Sequence, residues 1–238
     1  MITFDEANHK YYNEFGTEYI SVTTFLNTLK KPFDTEKHAA RVAEKNNTTP
    51  DAIKATWKAL TVEAQEKGKA FHKAMEDYIK YGEIDAQYSD LIKSLNKASE
   101  GFKANKKTAE GLLWNDESQI AGTADLVLEN DDDFFILDFK TNKKFTFMNA
   151  FGEKLLAPLD FLDYCEFTIY SLQLSLYAYM KQKLTGKHCK GLKVLYLTVN
   201  TFNNTRYWRE IPIIYCKDTI EKLIQHRKAS LSTQHANT

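Results

Sequence analysis

Apolar residues recur along this chain on two periods, every second position in some stretches and every third or fourth in others, and the switches between them delimit the elements. Thr3 to Ser21 alternates aromatic and polar positions, with Phe4, Tyr11 and Tyr19 as anchors and Asn13 to Gly16 as a turn, which predicts a small hairpin. In SVTTFLNTLKKPFD, Ser21 or Thr23 can cap a short helix that Pro32 ends, and Thr35 to Lys45 reads as a second helix with a Thr cap. From Thr61 the period is helical, with Val62, Phe71, Met75, Tyr78 and Ile79 on or near one buried stripe. Tyr88 to Lys103 reads as a further helix with Leu91, Leu95 and Phe102 inward, and Thr108 to Trp114 as a strand. After an irregular stretch from Phe145 to Asp163, EFTIYSLQLSLYAYMKQKLTG predicts a long, mostly apolar helix ending at Gly186. Lys193 to Val199 and Arg206 to Ile213 alternate as paired strands about a TFNN turn, Asp218 to Lys228 is a terminal helix, and the tail after Ser230 reads as frayed.

Ile120 to Thr141 is the stretch on which the rest is organised. Two runs rich in β-formers flank the turn-forming ENDDD segment, so an antiparallel hairpin is predicted, and with Thr108 to Trp114 a three-stranded meander. Pairing Leu128 with Phe135 sets Val127 opposite Ile136, Asp125 opposite Asp138 and Thr123 opposite Lys140. Ala124, Leu126, Leu128, Phe135, Leu137 and Phe139 then share an apolar face that must be buried, while Asp125, Asp138 and Lys140 gather on the other. Two carboxylates and an ammonium are costly to hold near a core unless something uses them, and a hard divalent cation, which takes carboxylate and carbonyl oxygens, would use them. The backbone carbonyl of Phe139 is a further candidate ligand, and Lys140 can position an attacking water or offset charge on a phosphate. Read from these residues alone, the competing account is a solvated hairpin with cross-strand ion pairs.

Composition narrows the class. A chain of 238 residues with 43% hydrophobic positions can bury a core as one unit, predicted as a single domain over 1–238: an N-terminal hairpin and helical region at 1–60, a core at 61–230 and a flexible tail at 231–238. Thirty-two basic residues balance thirty-two acidic ones, so no global field draws the protein to nucleic acid, and any phosphate binding must be local. Cys165, Cys189 and Cys216 form no C-x-x-C pair, which argues against zinc or iron–sulfur ligation and suits a reducing, cytoplasmic compartment. No apolar run is long enough to span a bilayer, so no membrane partner is expected.

On the Thr61 helix, Gly68, His72 and Glu76 recur at i, i+4 and i+8 with Lys69 and Lys73 beside them. On the long apolar helix Gln173 and Tyr177 stand at i and i+4, and Glu110 lies on the strand before the hairpin. Taken singly, these residues read as a capped or solvated histidine, a core amide satisfied by backbone and an ordinary aromatic anchor.

As an ordered set they resemble the RecB-like branch of the PD-(D/E)xK nuclease superfamily. The matching pieces are G-x-x-x-H-x-x-x-E at Gly68, His72 and Glu76; G-x-x-D at Gly122 and Asp125; D-x-K at Asp138, Phe139 and Lys140; and Q-x-x-x-Y at Gln173 and Tyr177. The SVTTFL opening is similar to the lead-in of small nucleases of this group, often phage-encoded. The resemblance implies an α/β fold with a restriction-endonuclease-like core, a mixed central sheet of about five strands flanked by helices, and an N-terminal helical region. It implies that His72, Asp125, Asp138 and Phe139 bind one or two Mg²⁺ or Mn²⁺ ions, that Asp125, Asp138 and Lys140 are catalytic, and that Gln173, Tyr177, Glu76, Glu110, Lys73 and Lys143 support the site or contact DNA. Three scattered cysteines cannot supply the iron–sulfur cluster of some relatives, and no Walker A loop is present.

The expected function is a metal-dependent DNA exonuclease acting in recombination, repair or replication, in the host cytoplasm if phage-encoded. Its expected partners are DNA ends, single-stranded or duplex, with recombination or replication proteins. An endonuclease, or an inert nucleic-acid-binding protein of the same fold, is the alternative. Tyr207 and Trp208, beside Arg206 and Arg209, are candidates either for stacking on single-stranded bases or for core packing.

Overall fold

A computed structural model describes residues 2–200, 202, 203 and 205–236. The N-terminal alternation folds as three short strands in a meander, β1 (Ile2–Asp5), β2 (Lys10–Asn13) and β3 (Glu18–Ser21), closed over Ile2, Tyr11, Tyr19 and Ala121. Ser21 ends β3 and caps α1 (Val22–Asn27), its hydroxyl accepting from the Thr24 amide at 3.0 Å. Helix α2 (Thr35–Lys45) is capped by Asp34 rather than Thr35, because the Asp34 carboxylate reaches the Lys37 amide.

Helix α3 (Pro50–Tyr81) begins eleven residues before the predicted start at Thr61 and runs through position 60 without a break. Its start is specified by Thr49 as N-cap and Pro50 in the first turn, its end by Gly82 at φ 73. Of the predicted stripe, Phe71 and Met75 are buried, Tyr78 and Ile79 half-buried, and Val62 exposed, because among the described residues no element covers the middle of α3.

A single 3₁₀ turn leads into α4 (Ser89–Ser99), and β4 (Lys106–Asn115), β5 (Ile120–Glu129) and β6 (Asp133–Lys140) form the predicted meander. Helix α5 (Glu166–Thr185), β7 (His188–Val199), β8 (Arg206–Ile213) and α6 (Lys217–Ala236) complete the chain. The helix continues through the segment predicted to fray: its inner face is docked by Ile220, Leu223 and Ile224, and the ladder propagates from there to Ala236. Positions 237 and 238, and two residues of the TFNN turn, lie outside the described residues.

Among the described residues the sheet has eight strands rather than about five, in the order β1-β2-β3-β5-β6-β7-β8 with β4 on β5. The three extra strands are the N-terminal meander, joined through parallel pairing of Ile20 and Ser21 with Ile120 and Ala121. Because β6 pairs in parallel with β7 and antiparallel with β5, the sheet is mixed. One face packs against α1, α5 and α6 through residues such as Phe25, Leu174, Val127, Ile136 and Leu223, and the other against α3 and α4 through Phe71, Met75, Leu91, Leu126, Leu137 and Phe139. Among the described residues no helix is long and apolar enough to cross a membrane.

Candidate metal centre at a fork in the sheet

One edge of β5 is paired with β4 along its length except at Asp125, opposite Glu110, while the other is shared. β6 takes Leu126 to Glu129, β3 takes Ile120 and Ala121, and residues 122–125 between them have no strand partner on that side. Leu128 pairs with Phe135 and Val127 with Ile136 as the sequence predicts, but the ladder stops at Leu126 with Leu137, so the expected Asp125–Asp138 and Thr123–Lys140 pairs do not form. There β6 leaves β5 and continues beside β7 alone, with Lys140 opposite Tyr196. The Asp125 carboxylate bridges the opening: its Oδ2 accepts from the Phe139 amide at 2.6 Å. In an extended strand a residue's N–H and C=O leave the backbone on the same side, so the Phe139 carbonyl also faces the fork. Strict alternation ends here as well, since Ala124 packs with the α5 face while Leu126 and Leu128 pack with the α3 face. Phe135 is half-buried and the rest of the predicted apolar face is buried.

A gap in a sheet lets side chains from both faces meet. From α3, His72 Nδ1 lies 3.4 Å from Asp125 Oδ1. From β4, Glu110 stands between the Ala109–Leu126 and Gly111–Ala124 pairs with φ 48, a left-handed backbone conformation uncommon for a non-glycine residue and rarer within a strand. The donor atoms of His72, Glu110 and Asp125 all lie within 4.8 Å of one another. From α5, Gln173 Nε2 donates to Tyr177 Oη at 3.2 Å, and these two close the opposite wall of a cleft of about 240 Å³. A Cβ on Gly122 would come within 2.9 Å of Tyr177 Cε1 and 3.2 Å of Val22 Cγ2, so only glycine lets that ring lie against β5. Gly68 meets no such limit, a Cβ there approaching only Thr141 Oγ1 at 3.8 Å.

Asp138 and Lys140 form the buried floor beside this cleft rather than its lining. Lys140 Nζ is 2.6 Å from Asp138 Oδ2, a charge contact without hydrogen-bond alignment, so that oxygen retains acceptor capacity. Lys140 also lies over the Tyr170 ring at 4.8 Å, and Tyr170 donates to Asn142 Oδ1 at 3.1 Å.

The electrostatics follow from burying these charges together. Burial, and then the Asp125 charge, push the Glu110 carboxyl up to about 7. Burial raises Asp138 to about 6 against the pull of Lys140. Burial likewise opposes ionisation of Asp125, but His72 and Lys140 together hold it below the usual carboxylate range. The Asp125 charge raises His72 to about 9, and Lys140, despite burial, is raised by Asp138 and Asp125. Without a cation the site is short of positive charge, as a His and three carboxylates around one ammonium should be.

Three expected supporting residues are elsewhere. Glu76 is held by Lys80, with Lys73 at 3.6 Å, and Lys73 is drawn to Asp77 at 2.8 Å, because i,i+4 pairing on the solvated side of α3 satisfies both. Lys143 is exposed on the loop after β6. Trp208 is a core residue, stacked on Phe139 with its indole N–H donating to the Leu91 carbonyl at 3.0 Å, and Arg206 is bound to Asp90, so neither is free to meet a base. Conversely, Tyr170 is a residue of the site that the motif pattern omits, although its spacing of three from Gln173 and seven from Tyr177 puts it on their helical face.

No protein-family model and no curated protein matches this chain. Among solved structures, one designated SSO0001 is similar over 56% of the chain at 16% identity, with a TM-score of 0.27, and the chain spans about half (54%) of that protein's length. A likeness of that degree leaves function to the chemistry of the site itself.

Proposed function

We propose that this protein is a metal-dependent deoxyribonuclease, with a PD-(D/E)xK core, that hydrolyses DNA phosphodiester bonds from an end. The observation that carries this reading is the convergence of His72, Glu110 and Asp125 from three elements around Asp125 of β5, beside the buried Asp138–Lys140 pair. The donor set fits a divalent ion. Two carboxylates, the raised Glu110 and the ionised Asp125, and one imidazole within a few ångströms suit Mn²⁺ well and Mg²⁺ adequately, and their surplus negative charge is what a cation would neutralise.

His72, Glu110 and Asp125 would hold the ion, with Asp138 and the Phe139 carbonyl at its margin. Bound there, a divalent ion supplies Lewis-acid polarisation of a phosphate and a lower pKa for water. The Lys140 ammonium, fixed by Asp138 on one side and the Tyr170 ring on the other, orients the attacking water and offsets charge gathering on the phosphoryl oxygens. Gln173 and Tyr177 hold the far wall, and Gln173 offers an amide to a phosphate oxygen. End-directed action is favoured by resemblance alone, because the His72 helix and the Gln173–Tyr177 pair match the exonuclease-rich branch.

The test is digestion of linear and circular DNA, single- and double-stranded and labelled at either end, with Mg²⁺, Mn²⁺ or EDTA. Loss of linear DNA that requires metal and spares circles is expected, with a drop of at least about 10²-fold in Lys140→Ala. Cleaved circles would convert the reading to an endonuclease, and folded protein inert with every metal would remove the catalytic reading.

A further inference from the structure

The 25-residue connection from Thr141 to Cys165 carries exposed large apolar side chains, including Phe147, Met148, Phe151 and Phe161. One of them is continuous with the catalytic lysine. Lys140 lies over Tyr170, Tyr170 is 5.6 Å from Phe145 and Phe145 is 5.2 Å from Phe147, ring centre to ring centre. The Arg209 guanidinium stands 5.3 Å over Phe147. Tyr170 and Phe145 are packed against the core, whereas Phe147 is 47% exposed at the outer end of the series.

This exposure is presented rather than frayed. The Thr146 amide and hydroxyl both donate to Glu166, and the Thr146 carbonyl accepts from the Phe167 amide at 3.0 Å, so the residue before Phe147 is tied to the first turn of α5. Asn149 caps the following turn through the Phe151 amide at 2.8 Å and holds the Tyr164 carbonyl at 2.8 Å. Among the described residues Arg209 has no carboxylate partner, although Arg206 on the same strand is fully engaged by Asp90. A fixed, half-exposed ring, packed on Phe145 and Phe167 and carrying a guanidinium that engages that ring rather than a carboxylate, lies a few nucleotides' reach from Lys140 and sets side by side the two chemistries that bind a single strand: a π-face for a base and a cation for the phosphate next to it.

We propose that Phe147 and Arg209 form a stacking subsite for unpaired DNA, so that the substrate strand is single-stranded where it approaches Lys140. The proposal rests on the nuclease reading above and specifies its substrate class. A duplex hides its base faces within its own stack and offers this platform only phosphate. With no net charge on the protein, a local subsite of this kind is also what would hold a polyanion at all.

The two readings can be separated by measuring binding without turnover. Fluorescence anisotropy of a short labelled oligo-dT in EDTA is followed for the wild-type chain, Phe147→Ala and Phe147→Trp, with blunt duplex as a second ligand. Hydrolysis of bis(p-nitrophenyl) phosphate with Mn²⁺ reports on the metal centre alone. Expected are an oligo-dT dissociation constant roughly 5- to 100-fold higher in Phe147→Ala, recovery in Phe147→Trp, and unchanged duplex binding and small-diester hydrolysis. Wild-type binding of oligo-dT that Phe147→Ala leaves intact overturns the subsite and spares the nuclease reading. Equal weakening for duplex overturns the single-strand preference, and a parallel fall in small-diester hydrolysis shows that Phe147 acts through the fold. A wild-type chain that neither binds DNA nor cleaves the small diester ends both.

Discussion

Glu110 concentrates the cost of this site in one residue. Its φ of 48 costs on the order of 1–3 kcal/mol for a side chain with a Cβ, and its carboxyl, raised to about 7 by burial and by Asp125, is charged at a penalty above that pH. Residues held this way persist where something else compensates, and a cation shared with His72 and Asp125 is the compensation the geometry offers. The Glu110→Gln variant removes the like-charge conflict and keeps the shape. At pH 8 without metal it is expected to be more stable than the wild-type chain by about 1 kcal/mol, and to lose most of the rise in thermal midpoint that Mn²⁺ gives the wild type. Melting curves with EDTA and with Mn²⁺ check both halves, and a variant that keeps the full Mn²⁺ response takes Glu110 out of the site. In the sequence Glu110 is one polar position in an alternating strand, and nothing local signals the left-handed backbone that coincides with the break in its pairing opposite Asp125.

At the level of elements, what period and caps encode was legible and what depends on the uncovered neighbour was not. The β5–β6 register, the end of α5 at Gly186 and the whole of β8 follow from alternation and from a glycine cap. The fork is different in kind. Asp125 and Asp138 fall opposite one another in the extrapolated ladder, but burying two carboxylates face to face is unfavourable, and the strands diverge just before that pair, after Leu126 and Leu137. Helix α3 shows the same limit, for the exposure of Val62 depends on an absent neighbour rather than on its own periodicity. Ile53 and Trp57 are half-buried near α2, Phe71 and Met75 are core, and every residue of the ten from Lys58 to Lys67 is exposed. A helix exposed all round is held only by its own ladder and by i,i+4 pairs such as Glu63–Lys67 at 2.6 Å. Hydrogen exchange followed by mass spectrometry is therefore expected to show Lys58–Lys67 exchanging well ahead of Ala70–Tyr81, which carries His72. Uniform protection along α3 would mean that the span has a partner surface and that the helix moves as one piece with the sheet.

For the molecule as a whole, equal numbers of acidic and basic residues leave no long-range charge term, so pH acts on stability mainly through the few buried groups at the fork. His72 is raised from 6.5 to about 9, so its contribution is complete below about 6.5 and is lost as pH climbs through 9. Glu110 and Asp138 are raised from 4.5 and 3.8 to about 7 and about 6, so the folded chain holds their protons more tightly, and that contribution is lost as pH rises through 6 to 7. Asp125, lowered from 3.8, acts in the opposite sense, as does the buried Glu129, lowered from 4.5 by Lys181 and Lys187 away from the fork, and their windows lie in the acid range below about those values. Between pH 5 and 9 the three raised groups act together, and the metal-free chain is expected to lose on the order of 1–3 kcal/mol of stability across that range. A cation competes with the same protons for the same atoms, so saturating Mn²⁺ should flatten the decline or reverse it, with the largest stabilisation at the alkaline end. Thermal midpoints taken at intervals of pH, with EDTA and with Mn²⁺, give the two curves. Curves that run parallel would show that the ion binds away from His72, Glu110 and Asp138, whereas curves that diverge with rising pH locate proton release and metal binding in one cluster.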